Sequence, residues 1–505
     1  MIDNKRVAKN AIYLYIRTFF VLIVSLYTSR LILLALGETN LGIFNVVGGI
    51  VTLMAFFQSA QTKATSRFIT YELGRKEKQG EPEKIFSLCV TIHVLIALIV
   101  LLLGETIGLS MVNHWIEIPQ DRIVAANWVY QFALLTFCVH LLQVPHNAVI
   151  IAHEKMSVFA YMSILEVALK LGIVYLLIYS HGDRLILYGG LLSAVAFILL
   201  ITYRFYLKIK FPLYKTIFIW DKEKCLQILS FSGWTLIGSS ANTATQQGVS
   251  LLFNKFIGLV ANTALGFANQ VNAAVGQFVH SFTTAFNPQI IKLYAQKDYN
   301  SLHLLMIRAS KFSFFLAYLI ALPLIVNMDF ILQVWLKNVP LYTTEFCQLI
   351  LICSVIDATT GVFNTSITAT GNIKKYQIGI SISFFCDLLL AFILLGLSVH
   401  PALVFASRIM TRGFVNMFIG FHFAKRLIEF DVCNYAKSVL LPIIITVLVS
   451  YPLTNHIGGH YVEWHKLIIS TLVSSSLLIV CLFIVIMDGN ERKKIIYTIN
   501  RYGKR

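Results

Sequence analysis

The 505 residues are 57% hydrophobic and only 13% charged, with a mean hydropathy of +0.74 and a net charge of +17. Soluble domains carry about 25% charged residues, and a soluble chain this long divides into several cores with polar linkers between them. The composition therefore excludes a soluble multidomain protein, and eight cysteines scattered singly, with no CxxC pair or zinc spacing, exclude a disulfide framework.

The chain opens MIDNKRVAKN and enters its first apolar run without a small-residue cleavage site, so a retained helix is expected and no signal peptide. Fourteen such runs follow, at about 11–36, 41–70, 85–112, 124–151, 158–180, 185–206, 228–253, 256–286, 304–327, 345–370, 377–397, 401–424, 438–455 and 466–487. About 20 apolar residues cross roughly 30 Å of hydrocarbon. The expected fold is all-α, a polytopic membrane protein of about 14 transmembrane helices. With the N-terminus inside, the inner segments hold 29 Lys and Arg, the outer ones only Arg122, Arg184, Lys255, Lys337 and Lys466. Positive charge resists translocation, so both termini are expected in the cytoplasm. Trp115, Trp128, Trp335 and Trp464 fall at outer span ends, where amphipathic rings favour the headgroup layer.

The basic and aromatic connection 207–227 reads as an amphipathic linker lying on the inner surface, and the longest outer loop is about 328–344. The linker separates an N-lobe (1–206, spans one to six) from a C-lobe (228–424, spans seven to twelve), with spans 13 and 14 and a basic cytoplasmic tail in 425–505. The halves look alike: LGETNLGIFNVVGG from Leu36 and IGLVANTALGFANQVNAAVG from Ile257 each place a Gly-containing turn between a first and a second helix. They lie about 221–224 positions apart, which suggests a parallel repeat around a central cavity.

No GxxxxGK[ST], GxSxG or HExxH occurs, so no ATP cradle or hydrolase site is expected, and neither cofactor nor metal is implied. His140, His146 and His153 are spaced six and seven apart, which does not bring them onto one helix face as ligands; His456, His460 and His465 read as solvated. The net positive charge follows membrane orientation rather than nucleic acid.

Charges inside the spans each need a partner, a route to water or a function. They are Arg17 and Arg30 (span one), Lys63 and Arg67 (two), Glu166 and Lys170 (five), Asp357 (ten), Asp387 (eleven), and Arg408 and Arg412 (twelve). Glu166 and Lys170, i,i+4 with the acid first, read as a self-contained ion pair. Arg17 and Arg30, about 220° apart on a straight helix, can snorkel to opposite faces. Lys63 shares a face with Arg67, and Arg408 with Arg412. Neutral polar stripes run along span seven (Thr235, Ser239, Asn242, Gln246, Ser250), span eight (Asn269, Asn272, Gly276, His280, Thr283, Asn287) and span ten (Asp357, Gly361, Asn364, Thr368, Gly371). Ser and Gly alone would be interhelical packing; Asn, Gln, His and Asp exceed what packing needs and point to a water-filled cavity that accommodates sugar.

The opening KNAIYLYIRTFFVLIVSLYTSRLILLALGETNLGIFNVVGGIV and the segment FSGWTLIGSSANTATQQGVSLLFNKFIGLVANTALGFANQVNAAV, followed by FNPQIIKLYAQKD, resemble polysaccharide flippases of the multidrug/oligosaccharidyl-lipid/polysaccharide exporter superfamily. The resemblance implies two six-helix lobes that alternate between inward- and outward-open states in a bacterial inner membrane, and a transporter rather than an enzyme. It implies cavity cations meeting the pyrophosphate of an undecaprenyl-linked oligosaccharide, a groove at spans 13 and 14 for the lipid tail, and as partners membrane lipids, a proton or sodium counter-ion and polysaccharide assembly proteins. Arg17 and Arg30 are the carried-over candidates, with Lys63 and Arg67 next. Two readings compete. A cation-coupled drug exporter of the same superfamily typically keeps an acid on helix one, where this chain has two arginines. A polysaccharide polymerase or ligase usually presents a large outer loop, and none here exceeds about 20 residues.

Overall fold

The computed structural model describes residues 4–52, 55–75, 80–114, 118–180, 182–459, 463–486 and 492. Trp115, His460 and most of the basic tail lie outside them. Among the described residues every regular element is helical. In chain order these are α1 (Asn4–Thr52), α2 (Ala55–Gly74), α3 (Pro82–His114), α4 (Gln120–Ala152), α5 (Met156–Ile178), α6 (Arg184–Lys210), α7 (Lys222–Phe256) and α8 (Leu259–Ala295). There follow α9 (Tyr299–Val326), the short α10 (Met328–Leu336), α11 (Thr343–Thr370), α12 (Lys374–Gly396), α13 (Ala402–Ile428), α14 (Val432–His456) and α15 (Trp464–Ile484).

Within the described residues, all fourteen expected spans fall on helix. Among the described residues eleven helices are long and apolar enough to cross a membrane. The other three, α2, α7 and α8, are long but more polar. They carry Lys63, Arg67 and two of the polar stripes, and a helix with such a face must turn it towards protein or water rather than lipid. The protein is thus an all-helical, multi-pass membrane protein.

Two glycines set the bends that begin each half. Gly37 breaks α1 with φ 76°, and Gly258 joins α7 to α8 with φ 106°. Glycine enters this left-handed region without the Cβ clash of other residues. An added Cβ would meet no atom within 4 Å at either position, so backbone conformation and not crowding is the constraint. Positions 37 and 258 lie 221 apart, matching the spacing of the two similar passages.

The chain forms two compact units, the first from Asp3–Ser240 with Asn287–Lys297, the second from Ala241–Phe286 with Asp298–Arg505. Two of the boundaries lie inside α7 and α8, and the third, after Lys297, lies between α8 and α9. In the first unit α4 packs against α1, α2, α3 and α6, with Val129, Leu141 and Val149 wholly enclosed. The last turns of α8 are docked into this unit. Glu154, in a left-handed conformation (φ 57°) and buried, accepts from Lys292 Nζ at 2.7 Å and from Gln289 Nε2 at 3.3 Å. Gly74 permits the approach, because a Cβ there would lie 3.0 Å from the Lys292 Cα. In the second unit Phe346 stands between Phe253 and Phe405, with ring centroids 5.2 and 4.7 Å away.

Two connections differ from expectation. The 328–344 loop contains α10, which starts where Asn327, buried, donates to Pro323 O and Ser470 Oγ, both at 2.7 Å. The 207–227 linker is helical only at its ends: α6 runs to Lys210, α7 begins at Lys222, and the residues between follow an irregular path. That path is pinned to α3, where Ser87 Oγ donates to Lys215 O (2.8 Å) and Thr91 Oγ1 accepts from Ile219 N (3.3 Å). Tyr214 is buried against Phe86 and His153, and burial raises its phenol pKa. Leu213, Ile217, Phe218 and Trp220 stay exposed.

Candidate functional site

In the first unit a polar network crosses four helices. Glu166 on α5 accepts from Lys170 Nζ at 2.6 Å, forming the expected i,i+4 pair. The pair is not self-contained, because Arg17 on α1 also interacts electrostatically with Glu166 and with Tyr203 on α6. Gln143 on α4 links Tyr203 to His140, whose Nδ1 lies 3.3 Å from Gln143 Oε1. The Arg17 guanidinium sits 4.8 Å over the Phe159 ring, and its Nε is buried without a hydrogen-bond partner. One carboxylate therefore serves two cations. His140 also lines a cavity of about 310 Å³ in the same unit, with Asn45, Gly48 and Thr136 among Phe44 and Phe137.

The other expected cations are separated from this network. Arg30 is exposed on α1. Lys63 is exposed on α2, whereas Arg67, one turn on, is buried in an aromatic cage, 4.6 Å from the Phe68 and Tyr71 centroids and 5.8 Å from Phe231. The cage arises because α7 delivers Phe231 beside α2, something the shared face of Lys63 and Arg67 does not reveal. Glu105 on α3, an acid the sequence reading passed over, is exposed and accepts from Gln131 at 3.0 Å.

The span-seven stripe divides between the units. Thr235 and Ser239 lie in the first, where Thr235 is buried and its hydroxyl bonds the Phe231 carbonyl of its own helix at 2.9 Å. Asn242, Gln246 and Ser250 belong to the second; Asn242 Oδ1 is buried without a partner, Gln246 is exposed, and Ser250 donates to Asn262 at 2.6 Å. On α8, Asn269 and His280 are exposed, and Asn272 accepts from Ser354, joining α8 to α11. Asp357 and Asn364 are exposed on α11, while Thr368 bonds the Thr365 carbonyl (2.9 Å) and Gly371 is the left-handed C-cap of the helix. The stripe residues thus divide between helix-to-helix bonds (Asn272, Ser250), own-helix bonds (Thr235, Thr368, and His280 with Thr284) and exposed polar groups (Gln246, Asn269, Asp357, Asn364).

The second unit also contains a cluster that sequence reasoning left unassembled. Asp387 on α12 lies 3.2 Å from Arg408 Nε and 3.4 Å from Arg412 Nε on α13. Acid and arginines were each legible as charges within spans. The signal that could have joined them is the i,i+4 arginine pair following, one helix on, a single acid.

No family model matches the chain, and no curated protein matches it by sequence. Solved structures match it by fold. A MATE in complex with MaL6 superposes with TM-score 0.71 at 12% identity, covering 83% of this chain and 96% of that one. An outward-facing multidrug resistance MATE family transporter of the MOP superfamily gives 0.71 at 13%, covering 84% and 96%. A MOP superfamily transporter from Pyrococcus furiosus, described by the phrase "reverse polarity of binding pocket suggests different function", gives 0.70 at 12%, covering 83% and 96%. The chain therefore has the fold of the MATE transporters of the MOP superfamily.

Proposed function

We propose that this protein is an exporter that works by alternating access and that its cargo is anionic, namely a polyprenyl-pyrophosphate-linked oligosaccharide moved outward across a bacterial inner membrane. Both termini are then cytoplasmic, as the 29-to-5 bias of Lys and Arg supports. The observation that carries the reading is the first-unit network: Arg17 and Lys170 share Glu166, and Arg17 keeps an unpaired donor, so the interior has surplus positive charge. Such a site attracts a pyrophosphate and repels the cationic drugs that an acid-lined pocket would hold. The open amides of α7, α8 and α11 suit hydroxyl groups of a glycan.

A second reading is a multidrug exporter, favoured by the MATE fold and by the names of its structural neighbours. The Pyrococcus furiosus neighbour, described as having a pocket of reversed polarity, supports treating cargo as a property of the site and not of the fold.

Reconstituted vesicles separate the two. Arg17→Ala should insert normally and abolish flipping of a labelled polyprenyl-pyrophosphate glycan, while Arg17→Lys should keep part of it, retaining the charge but losing the planar fork. Efflux of a cationic dye by the unmodified protein, with the labelled glycan left unmoved, would replace this reading by the second.

A further inference from the structure

The exporter reading makes no use of the charge cluster buried in the second unit. The Asp387 side chain is only 1% exposed, and its two oxygens are taken by the Arg408 and Arg412 Nε atoms and by the Thr411 hydroxyl at 3.3 Å. Thr411 is held in turn through its carbonyl, which accepts from Ser383 at 3.2 Å. Phe405 and Phe384 cover the guanidinium faces at 5.5 and 4.9 Å. What is left are the in-plane edges. Arg408 Nη2 and Arg412 Nη2 are buried without hydrogen-bond partners, on side chains 6% and 12% exposed.

A buried donor lacking an acceptor costs about 1–3 kcal/mol, and more when charged. One carboxylate between two guanidiniums also leaves one positive charge in surplus. Asp357 on α11 attracts Arg412 and, less strongly, Arg408, but makes no ion pair with either. The cluster faces Cys353 and Asp357 from α11, Asp387 from α12, and lies where α13 widens over Ile409–Val415. Unpaired donors on two cations call for a partner rich in acceptors and negatively charged.

We propose that Arg408 and Arg412, braced by Asp387 as a positioning residue, form a binding site for an oxyanion of the phosphate type. Guanidinium edges match the oxygens of phosphate in paired, charge-assisted hydrogen bonds. The anion can be free phosphate or pyrophosphate, or the head of a prenyl diphosphate. Binding stands apart from the exporter reading; only its part in transport rests on it.

The test uses the full-length protein in phosphatidylcholine nanodiscs, carrying Arg17→Ala to remove the first unit's leading anion candidate, and equilibrium binding of radiolabelled inorganic pyrophosphate. Saturable binding is expected, at least tenfold weaker in Arg412→Gln. Asp357→Asn should bind several-fold tighter, because the nearest unpaired negative charge is gone; a merely structural cluster would not respond in that direction. Arg408→Gln leaves Asp387 short of a partner and can misfold, so the two other variants carry the test, each checked for monodispersity. Farnesyl diphosphate competing no better than pyrophosphate assigns a free anion, and competing at least tenfold better assigns a lipid head; either upholds the site. No saturable binding by monodisperse protein, or binding that Arg412→Gln leaves unchanged (an adventitious ion only), overturns it. Absence of glycan flipping by the protein with Arg17 intact, with pyrophosphate binding preserved, would instead count against the exporter reading alone.

Discussion

The two units handle buried charge differently. In the first, cations are in excess of the acid they share: Glu166 is divided between Lys170 and Arg17, side chains on that pair remain 31–42% exposed, and Arg67 is enclosed by aromatic faces, with Glu72 as an additional attraction. In the second, Asp387 is wholly enclosed by two arginines and a threonine, and most remaining polar groups are neutral amides and hydroxyls. An open, shared carboxylate can exchange partners at little cost. An enclosed one cannot, because breaking a buried pair leaves an uncompensated charge. Mobility of the charge network is therefore expected in the first unit and rigidity in the second.

The largest test of that contrast is Asp387→Ala. Two enclosed guanidiniums lose their common acceptor, and losses of about 3–5 kcal/mol for a broken buried pair predict little folded protein on size-exclusion chromatography. Recovery of normal amounts would mean that water reaches the cluster and that it is not enclosed. In the first unit Glu166→Gln should reduce thermal stability more than Lys170→Gln, since it leaves two cations without their acid, whereas Lys170→Gln leaves Glu166 with Arg17. If the double variant regains the stability of Lys170→Gln, the pair is self-contained after all and Arg17 draws nothing from it.

A smaller effect is expected at the α8 clamp. Glu154→Gln keeps one acceptor oxygen, enough for Lys292, but loses the one that Gln289 uses and removes the charge, and should speed proteolysis near residues 287–297 by several-fold without unfolding the helices around it. The smallest is Asp298→Ala, which removes the cap of α9, where Asp298 Oδ1 accepts from Ser301 N at 3.1 Å. Such caps are worth about 1 kcal/mol. Hydrogen bonds from the Ser301 hydroxyl and amide lower the Asp298 pKa. Because the folded pKa is depressed, the stabilisation is complete above the ordinary carboxylate range, near pH 4, and is lost as pH falls below it. Amide exchange at the start of α9, measured from pH 6 downward, should show this loss in the unmodified protein and not in the variant.

What could be read from sequence and what could not follows from the range of the interactions. Spans are local: each needs only its own apolar run, and all fourteen are helical within the described residues. Gly37 and Gly258 are local too, since left-handed turns select glycine whatever surrounds them. The polarity of α2 is visible in its charges Lys63 and Arg67, and that of α7 and α8 as stripes. The partners are not. Arg67 looks like a companion of Lys63 until Phe231, far along the chain, arrives beside it. Asp387 and Arg408 are 21 residues apart on separate helices, and only packing decides which faces meet. The 211–221 path escaped because basic and aromatic composition says that a segment favours an interface, not which backbone conformation it takes there.

The α8 clamp also has a consequence in time. Glu154 and Lys292 stand 138 residues apart, and at about 5–20 residues per second the ribosome needs roughly 7–28 s to make the second after the first. Throughout that interval the acid that ends up buried has no lysine to meet, and the surface around Gly74 has no helix to cover it. Fragments ending at residue 240 should stay in that unfinished state, whereas adding 287–297 as a separate peptide should complete the unit. The first half of this chain is not finished when its own last residue is made, but only when the second half lends it three turns of helix.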